Sequence, residues 1–201
     1  MGKEALVVKR EILFKNKHFQ GFLSFKDFDF ISLINKNYFY AQRGDVLEND
    51  TSLQQIIPYV VIINPETKKI FAYRRANNTN YTETRLRNKW SIGIGGHIES
   101  TDDKDPIQEG MMRELREEVS MKNYPTPKII GYVNDDSGVE SVHFGIVALT
   151  ETTEDVSQGD DEMASSSFLS VAEFDALFKD ETNQFDKWTE IIWPTIKQYL
   201  Q

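Results

Sequence analysis

Gly93-Ile-Gly-Gly-His-Ile-Glu99 and, after a short polar loop, Asp105-Pro-Ile-Gln-Glu-Gly-Met-Met-Arg-Glu-Leu-Arg-Glu-Glu118 decide how this chain is read. Asp105 is an N-cap acceptor, Pro106 suits the first helical position, and Gln108 stands three residues after the cap. Ile107, Met111, Met112, Leu115 and Val119 recur at helical spacing, so the pattern predicts a helix over 106–121. Glu114, Glu117 and Glu118 fall three and four apart, on adjoining turns with Cβ atoms roughly 5–6 Å from one another. Like charges at that separation cost the helix stability, and only Arg113 and Arg116 offset them locally. A divalent cation would offset them better, because hard ions take several carboxylate oxygens. The bland alternative is a solvated helix face with an Arg113–Glu117 pair. The glycines ahead of the helix favour the ion, since they let backbone approach a ligand closely and lend it a carbonyl.

Outward from this segment the elements alternate. Ala5–Leu13 reads as a short strand, and 14–40 carries nine aromatics with no clean period. Aromatics at that density read as a buried accessory layer with a helix over 26–36; a base-stacking platform is the functional alternative. Arg43–Gln55 is polar and loop-like. Gln55–Ile63, the turn Asn64-Pro-Glu-Thr67 and Lys69–Arg75 form a predicted hairpin. Trp90–Ile94 is a further strand. Strands follow over 128–134, 141–149 and 166–170, then helices over 171–180 and 185–200, the last with Pro194 expected to kink it. Mixed strands flanked by helices indicate an α/β sandwich. The expected division is an N-terminal strand and aromatic segment, 1–55, ahead of the main domain, 56–201.

The chain has 201 residues and a formal charge of −9. That acidity argues against bulk nucleic acid or an anionic membrane as partner. It is unevenly spread: 1–98 carries +6, 99–118 carries −5, and the loop 151–162 holds six acids and no base. There is no Cys, which excludes disulfides, thiolate metal sites and a Cys nucleophile. No apolar run approaches the ~18–20 residues of a membrane span, and no signal segment is present, so a cytoplasmic protein is expected.

Gly95-Gly96-His97-Ile98-Glu99, followed by Arg113-Glu114-Leu115-Arg116-Glu117-Glu118-Val119-Ser120-Met121, resembles the Nudix box of MutT-like pyrophosphohydrolases. The stretch from Gln55-Ile-Ile-Pro-Tyr through Ser91-Ile-Gly-Ile-Gly-Gly-His is similar to a branch of predicted MutT-type phosphoesterases. The resemblance implies a Nudix-type α/β/α sandwich with a mixed sheet and an N-terminal accessory segment. It also implies hydrolysis of a pyrophosphate linkage in a nucleoside diphosphate joined to another group, with one or more Mg²⁺ or Mn²⁺ ions. Glu114 and Glu118 are then the first metal ligands, and Glu117 a third ligand or the base. Arg113 orients a glutamate, and a carbonyl of Gly95 or Gly96 joins the shell. A further carboxylate is expected from 151–162, with Glu162 preferred for its place ahead of Phe168 and Glu140 as runner-up. Arg74, Arg75, Arg85 and His97 are candidate phosphate contacts, against surface solvation for the arginines and a loop-ordering hydrogen bond for the histidine. His143 reads as a strand residue with a satisfied polar tip.

Three departures stand out. The loop after Gly96 is three residues longer than the family spacing, Asp105 occupies the early Glu position, and Ser120 the late Gly. They motivate the alternative of a non-catalytic nucleotide-binding or regulatory module. An isoprenoid diphosphate isomerase is set aside, since that chemistry uses a Cys. A homodimer through the aromatic segment stands beside a monomer.

Overall fold

The chain begins with strand β1 (Glu4–Lys9) and turns at once into the one-turn helix α1 (Arg10–Leu13). It continues through β2 (Gly21–Ser24), α2 (Phe30–Asn37), β3 (Phe39–Gln42), α3 (Asp45–Glu48), β4 (Leu53–Asn64) and β5 (Lys69–Arg75). Two short strands, β6 (Trp90–Ser91) and β7 (Gly93–Ile94), precede helix α4 (Pro106–Glu118), which runs into β8 (Val119–Ser120). Then come β9 (Lys128–Asn134), β10 (His143–Glu151), β11 (Ser157–Gln158), β12 (Met163–Ser170), α5 (Val171–Lys179) and α6 (Lys187–Tyr199). This computed structural model describes residues 3–77, 84–102, 104–159 and 163–201. Among these, no helix is long and apolar enough to cross a membrane.

The predicted hairpin forms around Asn64, whose Oδ1 accepts from the N–H groups of Glu66 (3.1 Å) and Thr67 (3.0 Å). That side-chain bond mimics a backbone turn, Lys68 takes φ 55°, and Ile63 pairs with Ile70 across the hairpin. Elsewhere the sequence expectation needs correction. The strand expected over Ala5–Leu13 ends at Lys9, where Arg10 N–H bonds Ser52 O (2.8 Å) and a helical turn buries Leu13. The helix expected from 26 starts at Phe30, where the Asp29 carboxylate caps Ser32 N–H at 2.9 Å. The polar run 43–55 holds α3 and the start of β4, anchored by buried Leu47.

Two compact units are distinguished. One comprises residues 1–59, 95–111 and 129–148. Within it β1 pairs antiparallel with β3 on one side and β4 on the other, Val7 facing Phe39 and Gln55. Ala5, Leu6, Val7 and Val8 are all buried, which is why this strand reads as an unbroken apolar run. The 14–40 aromatics are only partly core: six are half-buried, Phe25 and Phe39 are exposed, and Phe30 is the buried one. Phe30 is fully buried, with its ring 5.0 Å from both Tyr132 and Phe144, and Phe14 and Phe19 close around it. Burial pushes the Tyr132 phenol up to about 12. Phe30→Ala is expected to cost about 3–5 kcal/mol, as other large-to-small core changes do, read as a lower urea midpoint at an unchanged slope.

The other unit comprises residues 60–94, 112–128 and 149–201. Strand β12 pairs with β5, placing Phe168 opposite Phe71, and β6 pairs with β5 through Tyr73 and Ser91. The later part of β4 pairs with β7. The expected boundary at 55/56 falls inside β4, whose residues belong to both units. Helix α5 begins with a Ser170–Glu173 capping box, and α6 with Asp186, which takes Thr189 N–H (2.7 Å) and Oγ1 (2.8 Å). Pro194 lies inside α6. Phe174, Phe178, Phe185 and Trp193 interlock between these helices, and Asp175 accepts from Trp193 Nε1 (2.7 Å) and Lys197 Nζ (3.1 Å).

Candidate active site

Helix α4 is built as its sequence dictates. Asp105 Oδ1 accepts from Gln108 N–H at 3.3 Å, so the residue at the early Glu position works as the cap. Ile107, Met111, Leu115 and Val119 are buried on the apolar stripe. The helix was expected to reach Met121 but ends at Glu118. Val119 and Ser120 turn extended and pair with Gln158 and Ser157, so Ser at the late Gly position sits in a ladder rather than at a helix terminus.

Gly110 stands in the middle of α4. It faces the lengthened loop: a Cβ there would lie 3.1 Å from Ile98 Cγ1 and 3.3 Å from Asp102 Oδ2. The buried Asp102 carboxylate accepts Glu99 N–H at 2.9 Å and so orders that loop. Ahead of it, Gly95 is fixed by space. A Cβ on it would stand 1.8 Å from the carbonyl oxygen of Pro58, so only glycine fits this backbone.

The carboxylate cluster lies on the last turns of α4. Glu114 and Glu118 are buried, while Glu117 is exposed. The Arg113 guanidinium donates to Glu114 Oε1 at 2.7 Å and to Glu117 Oε2 at 3.1 Å, bridging both. Burial raises the pKa of Glu114; the charge and hydrogen bond of Arg113 oppose the shift, Glu117 adds to it, and a hydrogen bond with Glu118 opposes it. Two buried carboxylates therefore touch beside one guanidinium. Proton uptake by Glu114 is favoured in the native state, so its contribution to stability is present below about 4.5 and lost as pH rises through the folded value. In the metal-free protein, Glu114→Gln is expected to flatten the fall in stability as pH rises above about 4.5, measured by urea denaturation across a pH series.

The other expected residues are placed as follows. Burial drives the Tyr73 phenol far above its ordinary range, with the Glu118 charge adding to the shift, and the Arg75 guanidinium lies over the Tyr73 ring at 5.3 Å. Tyr73 thus feels the charges of both Arg75 and Glu118. Arg74 is turned away to Asn88 O (3.1 Å), and Arg85 is exposed on the 3₁₀ turn Thr84–Leu86. Gly159 N–H bonds Glu118 O at 2.8 Å, which brings that residue of the acidic loop against the end of α4. Glu162 lies outside the described residues. Glu140 is in the 3₁₀ turn Gly138–Val142, and Gly96 and His97 belong, like it, to the first unit. His97 Nε2 stands 2.7 Å from Gln55 Oε1, with Glu48 and His143 beside it. Residues 48, 55, 97 and 143 are too far apart in sequence for any spacing to signal that grouping.

Comparison with known proteins agrees on the family and the fold. Residues 54–190 match the model of the NUDIX domain. Protein YmaB of Bacillus subtilis (strain 168) is 30% identical over 206 residues, 96% of each chain. The crystal structure of Tm1382, a proposed Nudix hydrolase, superposes with a TM-score of 0.74 at 25% identity over 97% of this chain and 98% of that one. The NUDIX domain of Shewanella oneidensis NrtR, solved with ADP ribose, shares the fold at 15% identity, with a TM-score of 0.53 over 72% of this chain and 88% of its own. With the domain match over most of its length and the Arg-Glu-x-x-Glu-Glu helix end in place, the chain belongs to the Nudix hydrolase family.

Proposed function

We propose that the protein is a divalent-metal-dependent pyrophosphohydrolase that cleaves the phosphoanhydride bond of a nucleoside diphosphate joined to another group. The observation that carries this reading is the contact between buried Glu114 and Glu118 with Arg113 as the cation beside them. That donor set fits Mg²⁺ or Mn²⁺, which prefer carboxylate oxygens and take one or two carboxylates together with substrate phosphates. Glu114 and Glu118 would hold the ion. When bound, such an ion neutralises phosphate oxygens and acidifies the attacking water.

The chain's own groups do the rest. Arg113 fixes the carboxylates of Glu114 and Glu117 through one guanidinium nitrogen, so it positions rather than reacts. Glu117, exposed at the end of that bridge, accepts the proton of the attacking water. Glu162 is proposed as a further carboxylate of the site. Arg75 is the arginine best supported as a phosphate contact, given its place over Tyr73. Arg74 and Arg85 are proposed as weaker contacts. The excess of basic residues before Glu99 suits an anionic substrate once metal offsets the helix.

The test is a chromatographic screen for nucleoside monophosphate release from ADP-ribose, sugar nucleotides, dinucleoside polyphosphates and coenzymes, with Mg²⁺ and Mn²⁺ compared. ADP-ribose heads the panel because the NrtR domain was solved with it. Turnover of at least one compound is expected. A second reading, ligand binding without turnover, is favoured by the use of Asp105 as a cap. Thermal stabilisation by a panel compound with no product would select it.

A further inference from the structure

Glu48, His97 and His143 each offer a ligand atom, and these atoms all lie within 4.8 Å of one another. They come from α3, the loop after the glycines, and the first residue of β10, all in one unit. His97 Nε2 is 3.9 Å from Glu48 Oε1, and His143 Nε2 is 3.9 Å from Glu48 Oε2. The imidazole rings meet edge-on, 5.7 Å apart at 66°. A fourth donor stands with them: the amide oxygen of Gln55, 2.7 Å from His97 Nε2, on a fully buried side chain.

From these positions we propose a second metal site, distinct in chemistry from the carboxylate helix, that takes a borderline transition dication of the Zn²⁺ class. Two imidazoles and one carboxylate match catalytic-type zinc sites, which keep a fourth position for an oxygen. Mg²⁺ prefers oxygen ligands throughout and retains its water, so it suits this set poorly. Bond lengths of about 2.0–2.1 Å in a tetrahedron place neighbouring donors roughly 3.3 Å apart. The observed 3.9 Å approaches close to that by small side-chain rotations. The three ligands are shielded, with side-chain exposures of 26% for Glu48, 14% for His97 and 11% for His143. An ion here would pin the glycine loop to β4, β10 and α3 in one step. The α3 turn has a single buried apolar residue, Leu47, to hold it otherwise.

The experiment titrates Co²⁺, then Zn²⁺, into the EDTA-treated full chain and follows the visible ligand-field bands of Co²⁺. One equivalent is expected to bring up bands of tetrahedral intensity, and Zn²⁺ to displace them. His143→Gln and Glu48→Gln should each weaken Zn²⁺ binding by more than the roughly 10–100-fold lost with a supporting partner outside the coordination sphere. Glu118→Gln should leave the spectrum intact. The proposal is overturned if the bands are absent from the folded protein, or survive both Glu48→Gln and His143→Gln. It is equally overturned if Glu118→Gln alone removes them, which would assign the ion to α4. Circular dichroism identifies a variant that has lost its fold, and the remaining one then decides.

Discussion

Glu118→Gln is expected to reduce turnover of any panel substrate by roughly 10³-fold or more, the scale seen when a group that stabilises transition-state charge is removed. The replacement keeps the side chain's shape and its place beside Glu114, so the fold is retained. It removes one of two buried, touching carboxylates, and with it the charge that would hold the ion. Two readouts separate this from a structural effect. In the metal-free protein the variant should melt no lower than the parent, because the amide can still donate a hydrogen bond to Glu114. In the parent, saturating Mg²⁺ at about 100 times its dissociation constant stabilises by ~2.7 kcal/mol through linkage, and that increment should vanish in the variant. A variant that retains both the increment and the turnover would remove Glu118 from the site.

Gly95→Ala carries the second large effect. The added Cβ would stand 1.8 Å from Pro58 O and 2.8 Å from the same carbonyl carbon. Both are backbone atoms, so no side-chain rotation relieves the clash, and loop or strand must shift. Overpacking costs of about 3 kcal/mol should lower the urea midpoint by one molar or more at ordinary slopes. Gly110→Ala is the contrast. Its Cβ would meet the Ile98 and Asp102 side chains at 3.1 and 3.3 Å, which yield by small movements, and helix propensity returns up to about 1 kcal/mol. A near-neutral Gly110→Ala beside a damaging Gly95→Ala would show that the loop glycine is required by space.

What the sequence made legible is what local rules encode. Asp105 and Pro106 announced α4, Asn64 the hairpin, and the long apolar run of β4 a strand buried on both faces. The box glutamates stood out through the resemblance to the Nudix box, since three acids at helical spacing also suit a solvated helix face. Other parts were not legible, for physical reasons. Asp45–Glu48 is one turn anchored by Leu47 alone, too little apolar signal to stand out in a polar run. Strands β8 and β11 are two residues each and exist through pairing rather than propensity. The aromatics of 14–40 have no period because they close on Tyr132 and Phe144 from loops as well as α2. The packing of Gly110 against the loop that the longer spacing creates depends on tertiary contact. The grouping of His97 with Glu48, Gln55 and His143 arises only from tertiary contact.

Calorimetric titration of the metal-free protein with Mg²⁺ and Mn²⁺ tests the central claim most directly. Saturable binding is predicted in the parent chain, and its loss in Glu118→Gln with the fold preserved. A well-folded parent that takes up neither ion would contradict a metal-dependent hydrolase on this helix.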